Sequence, residues 1–595
     1  MASVRYTVIA EPLGHRFRIR CELAEAQAGQ VFRLPSWIRG SYLIRDFAKH
    51  VIAVYAEVDG REQAIERLDK RSFRVACDHG QPLSLAYDVY AYDSSVRKAY
   101  LDTRRGFFNG SSLFYCPQGF EHSDFVVELQ RPDPQHCPDW KVATSLPAID
   151  IDGDGYGSYG APDYETLIDH PVEMAAFKRI DFAVDGVPHS FALSGRCVVD
   201  ARRLAEDVAR ICTAQRRMFN GEPPLDCYWF LTQVTGNGYG GLEHRASSAL
   251  VTARDALPRP GQPALRKGYR GLLGLVSHEY FHLWNVKRIT PAPFAESDLG
   301  AEAYSRDLWA YEGVTSYYDD LFLLRAGVID APAYLDLLAE SATRLQRAPG
   351  RRVQTLSDAS LESWIKYYQP DENTPNQVVS YYIKGALAAL CVDLRLRRDT
   401  EHSLDDAMRL LWQRYGRDGK PAPEAALEQV AAELAGSDLH MFFDWLLRST
   451  DELPLAELLA DFGVEARLRS STGPADEGGR YDGKAPALPW LGLQLRASDC
   501  SIACVFSGSP AERAGLAGGD QLVALDGLRI TPSNWTKLLD ALSPGTPVQL
   551  HYFRGDEFLS TTLIPTEAPQ DSWTLTLDDA ATAVAVERRR KWLGV

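Results

Sequence analysis

The chain has 595 residues, too many for one hydrophobic core and enough for roughly three or four domains. With 45% hydrophobic and 24% charged residues, 12 Trp and 27 Tyr, its composition excludes a largely disordered polypeptide. A formal net charge of −16 argues against nucleic acid as a partner, and no run approaches the ~20 apolar residues that span a bilayer, so no membrane partner is expected either.

The opening residues, Met1-Ala-Ser-Val-Arg-Tyr6, lack the charged-then-apolar run of a secretory leader. Ten cysteines are scattered without a Cys-x-x-Cys pair, Cys500 and Cys504 being the closest. Together these features predict a cytoplasmic protein with reduced thiols. Over about the first 165 residues Phe17, Ile19, Cys21 and Leu23, and later Leu83, Leu85, Tyr87 and Val89, alternate with polar positions, the period of half-buried strands. A second β stretch is expected around Phe182–Val199. Helical spacing begins near Ala201 and dominates from about Leu265 to Phe462, broken by loops such as Pro370–Gln377. The polar, glycine-rich run that starts at Ser470 reads as a linker. A compact segment follows, and the chain closes on Glu587-Arg-Arg-Arg-Lys-Trp592.

Within the helical region stands His278-Glu279-Tyr280-Phe281-His282. Residues four apart share a helix face, so both imidazoles can address one ion while Glu279 lies beside it. Leu272, Leu275, Val276, Phe281 and Trp284 recur at helical spacing, with no proline before Pro291. Two neutral imidazoles, a carboxylate and an open water position make a catalytic zinc set. Two carboxylates compete for the third place. Glu312, in Trp309-Ala-Tyr-Glu312-Gly313, opens an apparent helix through Tyr317, Leu321 and Leu324, with 29 residues between it and the motif; Glu302 has 19 between.

Here the sequence resembles the gluzincin metallopeptidases, whose last ligand is the Glu of a Trp-x-x-Glu-Gly segment, and that resemblance favours Glu312. The gap to it is longer than in aminopeptidase N relatives. Tyr382-Ile-Lys-Gly385 is similar to the element whose tyrosine donates to the oxyanion. Gly240-Gly241-Leu242-Glu243-His244, after an expected strand at Cys227–Thr232, resembles the segment that holds a substrate's free amino terminus. Taken alone, Tyr382 also reads as a core tyrosine and Glu243 as a surface or salt-bridged residue in a turn. Position 316 is Ser where thermolysin has Asp, so no partner orienting the ligands is named. Trp37-Ile-Arg-Gly-Ser-Tyr-Leu-Ile-Arg-Asp-Phe47, the zinc motif continued through Arg288, and the C-terminal segment together look like the glycyl aminopeptidase family.

That resemblance implies a multidomain α+β protein: an N-terminal β-rich domain (1–168), a thermolysin-like, mostly helical catalytic domain (169–468), a linker (469–487), a PDZ-like domain (488–566) and a C-terminal tail (567–595). The PDZ likeness rests on Gly508 through Gly527, with Trp490-Leu-Gly-Leu493 as the carboxylate-binding loop and Ser533–Leu542 as the groove helix. Such a module either binds peptide C-termini or only packs beside the catalytic domain. Asp150-Ile-Asp-Gly-Asp-Gly155 mimics the start of a calcium loop, but its twelfth position is Ala161, so it reads as a polar turn.

The expected activity is a zinc aminopeptidase with one zinc per chain, held by His278, His282 and Glu312. Glu279 serves as general base, Tyr382 as oxyanion donor, and Glu243 with Gly240 and Gly241 as the substrate-binding strand. Its partners are peptides with free N-termini, and a preference for N-terminal Gly or Ala is implied by the family alone. Two alternatives stay open: an endopeptidase with PDZ-recruited substrates, and an inactive PDZ interaction protein.

Overall fold

The computed structural model describes residues 4–481, 483 and 486–594. Asp482, Lys484 and Ala485 of the expected linker, and residues 1–3 and 595 at the ends, lie outside the described residues. The chain is multidomain, β-rich at its N-terminus and helical towards its C-terminal part, and it falls into two compact units. One comprises 1–303 with 412–422, the other 304–411 with 423–595.

The alternation seen in the sequence becomes an eight-stranded sheet in the first unit. Val4–Glu11 pairs antiparallel with Arg16–Leu23 and parallel with Phe125–Gln130; Arg16–Leu23 pairs antiparallel with Leu83–Tyr90. Tyr6, Val8, Phe17, Ile19, Leu85 and Tyr87 all turn inward and are buried. This core does not stop at residue 168. Ala192, Leu231, Leu242 and Ala249, from the next sheet, belong to the same cluster.

That next sheet has five strands. Val187–Ser194, Tyr228–Thr235 and Ser247–Ala253 run parallel, and Lys178–Val184 and Tyr239–Glu243 are antiparallel edges. Parallel strands covered on both faces need apolar side chains on both, which Phe191, Leu193, Phe230, Leu231 and Leu250 supply. Helices Ala201–Met218 and Lys267–Phe281 accompany it. The second is anchored by Tyr269 Oη to Asp207 (2.8 Å), by Gln215 Nε2 to the Ser277 carbonyl (2.9 Å), and by Tyr280 Oη with His189 Nε2 (3.1 Å). Trp284 stacks on Phe219 at 4.6 Å just beyond its end.

In the second unit, helix Ile383–Asp399 is buried nearly all round, as a central helix must be. Helices Val314–Arg325 and Ala331–Arg347 pack on it. The stretch expected as a loop at Pro370–Gln377 contains one helical turn, Thr374–Gln377. The described residues of the expected linker are fastened: Arg469 grips Asp476 (2.6 Å), Arg480 grips Asp336 (2.7 Å), and Gly479 N–H donates to the Trp573 carbonyl (2.9 Å). Residues 488–563 enclose a hydrophobic core of their own, with a two-stranded sheet (Leu493–Leu495, Ile502–Val505), a four-stranded sheet and helix Trp535–Asp540. The final segment supplies a strand, Gln570–Leu577, paired with Val464–Ser470, and helix Ala583–Leu593. The Trp592 ring on that helix is buried and donates to Tyr317 Oη (3.0 Å).

The calcium-like sequence is a turn between Ala148–Ile151 and Gly157–Ala161. Arg131 occupies its carboxylates, at 2.8 Å from Asp152 and 2.9 Å from Asp154. Among the described residues no helix is long and apolar enough to cross a membrane.

Candidate active site

In the first unit, helix Lys267–Phe281 carries His278 and Glu279, and His282 follows in the helical conformation. Their spacing brings the Nε2 atoms of His278 and His282 to 3.1 Å, with the rings edge to face. The tautomer of His282 is fixed locally. Its Nδ1 lies 2.9 Å from the Asn285 carbonyl, which can only accept, so Nδ1 carries the proton and Nε2 presents its lone pair. Asn285 is therefore an orienting partner that no sequence motif announced. Its carbonyl is delivered by a turn in which Val286 sits at φ 86°, a conformation that costs a β-branched residue about 1–3 kcal/mol. Lys287 N–H closes that turn onto the His282 carbonyl (3.3 Å), and the Lys287 ammonium pairs with Asp169. Two imidazole nitrogens aimed together, one of them certainly a lone pair, form a donor set that suits a divalent metal.

The edge strand Tyr239–Glu243 brings Gly240, Gly241 and Glu243 to the same place. A Cβ at Gly241 would lie 2.1 Å from Glu279 Oε1, so the general-base candidate rests directly on this glycine's backbone. Gly240 serves a different need. It sits at φ 149°, open to side chains only at the cost of strain, and a Cβ there would meet nothing within 4 Å. Arg97 holds the strand by donating to the Gly241 carbonyl (3.2 Å).

Glu243 is 3% exposed, and its Oε1 has no hydrogen-bond partner among the described residues. One ligand atom each of Glu243, Glu279 and His282 lies within 4.8 Å of the others. Behind Glu243 stands Gly40, at φ 87°, where a Cβ would fall 2.1 to 2.5 Å from the carboxylate. Gly40 belongs to the loop beginning at Trp37, whose buried indole donates to the Ala301 carbonyl (2.8 Å). No sequence motif announces a role for Gly40.

In the second unit Glu312 lies on a π-helical turn, Trp309–Gly313, that leads into helix Val314–Arg325. Such wide turns widen the helix locally and recur at functional sites. Glu312 is 2% exposed, whereas Glu302, in the first unit, is exposed in a loop. The glycine after Glu312 has a structural reason: a Cβ at Gly313 would lie 2.6 Å from the Gly385 backbone, and one at Gly385 would lie 2.9 Å from Gly313 Cα. Two helical segments thus meet backbone to backbone, and Tyr382, immediately before helix Ile383–Asp399, comes near Glu312. Burial, and next the charge of Glu312, hold the Tyr382 phenol well above its ordinary range. Its hydroxyl lies 3.0 Å from that of Tyr368, another residue without a sequence signal.

The chain is similar to known peptidases over most of its length. Residues 5–176 match the Peptidase M61 N-terminal domain and residues 271–388 the M61 glycyl aminopeptidase domain. A crystal structure of an aminopeptidase N family protein from Idiomarina loihiensis is similar at 35% identity, over 99% of this chain and 100% of that one, with a TM-score of 0.94. An M1 zinc metallopeptidase from Deinococcus radiodurans is 13% identical over 76% of this chain and 94% of its own, with a TM-score of 0.49. A mutant of it bound to a Tyr-Ser-Ala substrate is 12% identical over 76% and 94%, with a TM-score of 0.47. No curated protein matches the sequence. With paired HExxH imidazoles, matches to both M61 domains and 35% identity to an aminopeptidase N family structure over 99% of its length, the chain belongs to the M61 glycyl aminopeptidase family of gluzincin metallopeptidases.

Proposed function

We propose that this metallopeptidase is a zinc aminopeptidase that removes the N-terminal residue of peptides, Gly and Ala being preferred. The observation that carries the reading is Glu243, whose buried carboxylate oxygen Oε1 has no hydrogen-bond partner among the described residues and which groups with Glu279 and His282. An isolated buried carboxylate is unfavourable unless a cation meets it, and a peptide's terminal ammonium is such a cation. The Gly and Ala preference rests on the family likeness.

His278, His282 and Glu312 hold one zinc per chain; the fixed tautomer of His282 and the near-complete burial of Glu312 support that set. A zinc held there would supply Lewis acidity for the scissile carbonyl and for the attacking water. Glu279 takes a proton from the attacking water at its carboxylate and returns it to the leaving amine. The Tyr382 hydroxyl, kept protonated, donates to the oxygen on which charge develops. Gly240 and Gly241 keep the substrate-binding strand thin, and Glu243 fixes the ammonium and thereby the position of the first peptide bond.

We read 1–168 as the N-terminal β domain, 169–468 as a thermolysin-like catalytic domain, 469–487 as the linker, 488–566 as PDZ-like and 567–595 as the closing segment. The separate core of 488–563 supports the PDZ-like reading. The thiols suit a reducing cytoplasm: burial pushes Cys21, for example, up to about 12, which leaves it unreactive.

A panel of aminoacyl-arylamides, assayed with and without chelator and beside their N-acetylated forms, tests the reading. Hydrolysis should be chelator-sensitive, greatest for Gly and Ala, and absent from acetylated substrates. Glu243→Ala should keep its metal and lose that discrimination. Equal cleavage of free and acetylated substrates by the native enzyme overturns the assignment.

A further inference from the structure

The second unit contains a groove of about 860 Å³ between the C-terminal β module and the helical segment. On the module's side it is apolar, lined by Leu493, Leu495, Trp535 and Leu539. Among the described residues strand Leu493–Leu495 pairs on one edge only, with Ile502–Val505, so its other edge can receive an added strand. At its entrance the N–H groups of Leu491 and Gly492 have no backbone acceptor among the described residues. Those are the ingredients of a slot for an extended peptide ending in a carboxylate.

The opposite wall carries information that a PDZ-like fold does not supply. Five arginines line the groove, Arg344, Arg347, Arg351, Arg352 and Arg496, against a single acid, Asp571. Four of the five come from the helix Ala331–Arg347 and the turn Pro349–Arg352, outside the module. Arg347 is spent on Asp571 (3.2 Å) and Arg351 on Glu452 (3.1 Å). Arg352 reaches Glu452 only at 3.8 Å, and Arg344 and Arg496 form no ion pair among the described residues. All three are exposed. On a chain of net charge −16 this is a local inversion of sign.

Resting on the PDZ-like reading of 488–566, we propose that this groove selects acidic peptide C-termini, the module receiving the terminal strand and the helical segment's arginines the upstream carboxylates. The apolar floor and open strand edge favour a peptide over a nucleic acid, which would need charge without the apolar slot.

Fluorescence anisotropy on the full chain tests the proposal, using labelled peptides blocked at the amino end so that none is a substrate. One peptide has Asp and Glu upstream of an apolar terminal residue, a second replaces the acids by Lys, and a third is the C-terminal amide of the first. The acidic free acid should bind at least tenfold more tightly than either relative, with a gap that narrows as salt is raised. Arg344→Glu and Arg496→Glu should each weaken it threefold or more while alanyl-arylamide hydrolysis stays unchanged. Loss on amidation without loss on exchange to Lys overturns the acidic selection and leaves the terminus-binding reading standing. Indifference to amidation overturns both. Equal competition by single-stranded DNA also overturns the proposal. Because no arm depends on turnover, failure here is separable from failure of the aminopeptidase reading.

Discussion

Two regions hold the residues of the proposed site, and glycine does opposite work in them. In the first unit Gly241 and Gly40 make room for carboxylates: a Cβ at either would strike the end of a Glu side chain, Glu279 or Glu243. In the second unit Gly313 and Gly385 make room for backbone, each facing the other's main chain below 3 Å. A carboxylate can swing aside at little cost to the fold but leaves its working position. Main chain cannot swing aside, and the helices must part. One pair of glycines thus protects function and the other protects packing, although all four look alike in the sequence.

The comparison can be broken or sharpened by substitution. The largest expected effect is that of Glu279→Gln: retained metal, an unchanged melting temperature, and turnover lowered by about 10²–10⁴-fold, since an amide cannot accept the water proton. A near-normal kcat in this variant would remove Glu279 from its role. Tyr382→Phe should follow, with kcat down by about 10²–10³-fold and KM little changed, as expected from losing one oxyanion donor. Elemental analysis of both variants guards against metal loss as the cause.

The glycine pairs come next. Gly241→Ala should lower kcat by about 10²-fold through misplacement of Glu279 while leaving thermal unfolding within error of the native protein. Gly313→Ala should do the reverse first, lowering stability by about 1–3 kcal/mol as backbone is forced apart. A thermal melt and a rate on each variant are enough, and the same pattern from both would dissolve the distinction. The smallest effect is expected of Gly40→Ala, which should raise KM for free-amine substrates more than it lowers kcat, because the role proposed for Glu243 is to hold the substrate rather than to react. A pure kcat loss would contradict that placement.

Much of this was legible before any coordinates. The helix around His278 follows from spacing alone, and Phe17, Ile19, Cys21 and Leu23 point inward as their alternation requires. The helix after Glu312 also appears where periodicity put it. What stayed hidden is non-local or lies in backbone geometry. Gly40 meets a residue 203 positions later, and no local pattern encodes that contact. Asn285 orients His282 through its carbonyl, which every residue type possesses, so identity carries no signal. The π-turn at Trp309–Gly313 shifts Glu312 relative to an ordinary helix, and hydrophobic spacing over five residues does not resolve so small a change. The arginine wall was invisible for a related reason: residues 344–352 and 490–539 read as separate segments until the chain folds them together.

The continuity of the first unit's core bears on how such a protein can be built, cut or recombined. Leu242, the neighbour of Glu243, is packed in the same apolar cluster as Tyr6 and Phe17, and Gly40 presses on the carboxylate beside it. The leading sheet is therefore scaffold for the site and not a detachable module. A gene fragment beginning near residue 169 should yield insoluble or inactive material, and chimaeras that exchange this portion between relatives should alter amine recognition without touching a residue of the HExxH helix. Selection on the substrate's first residue can accordingly act on positions such as 40, far up the chain, so the enzyme's heritable unit is the joined sheets and not the zinc motif alone.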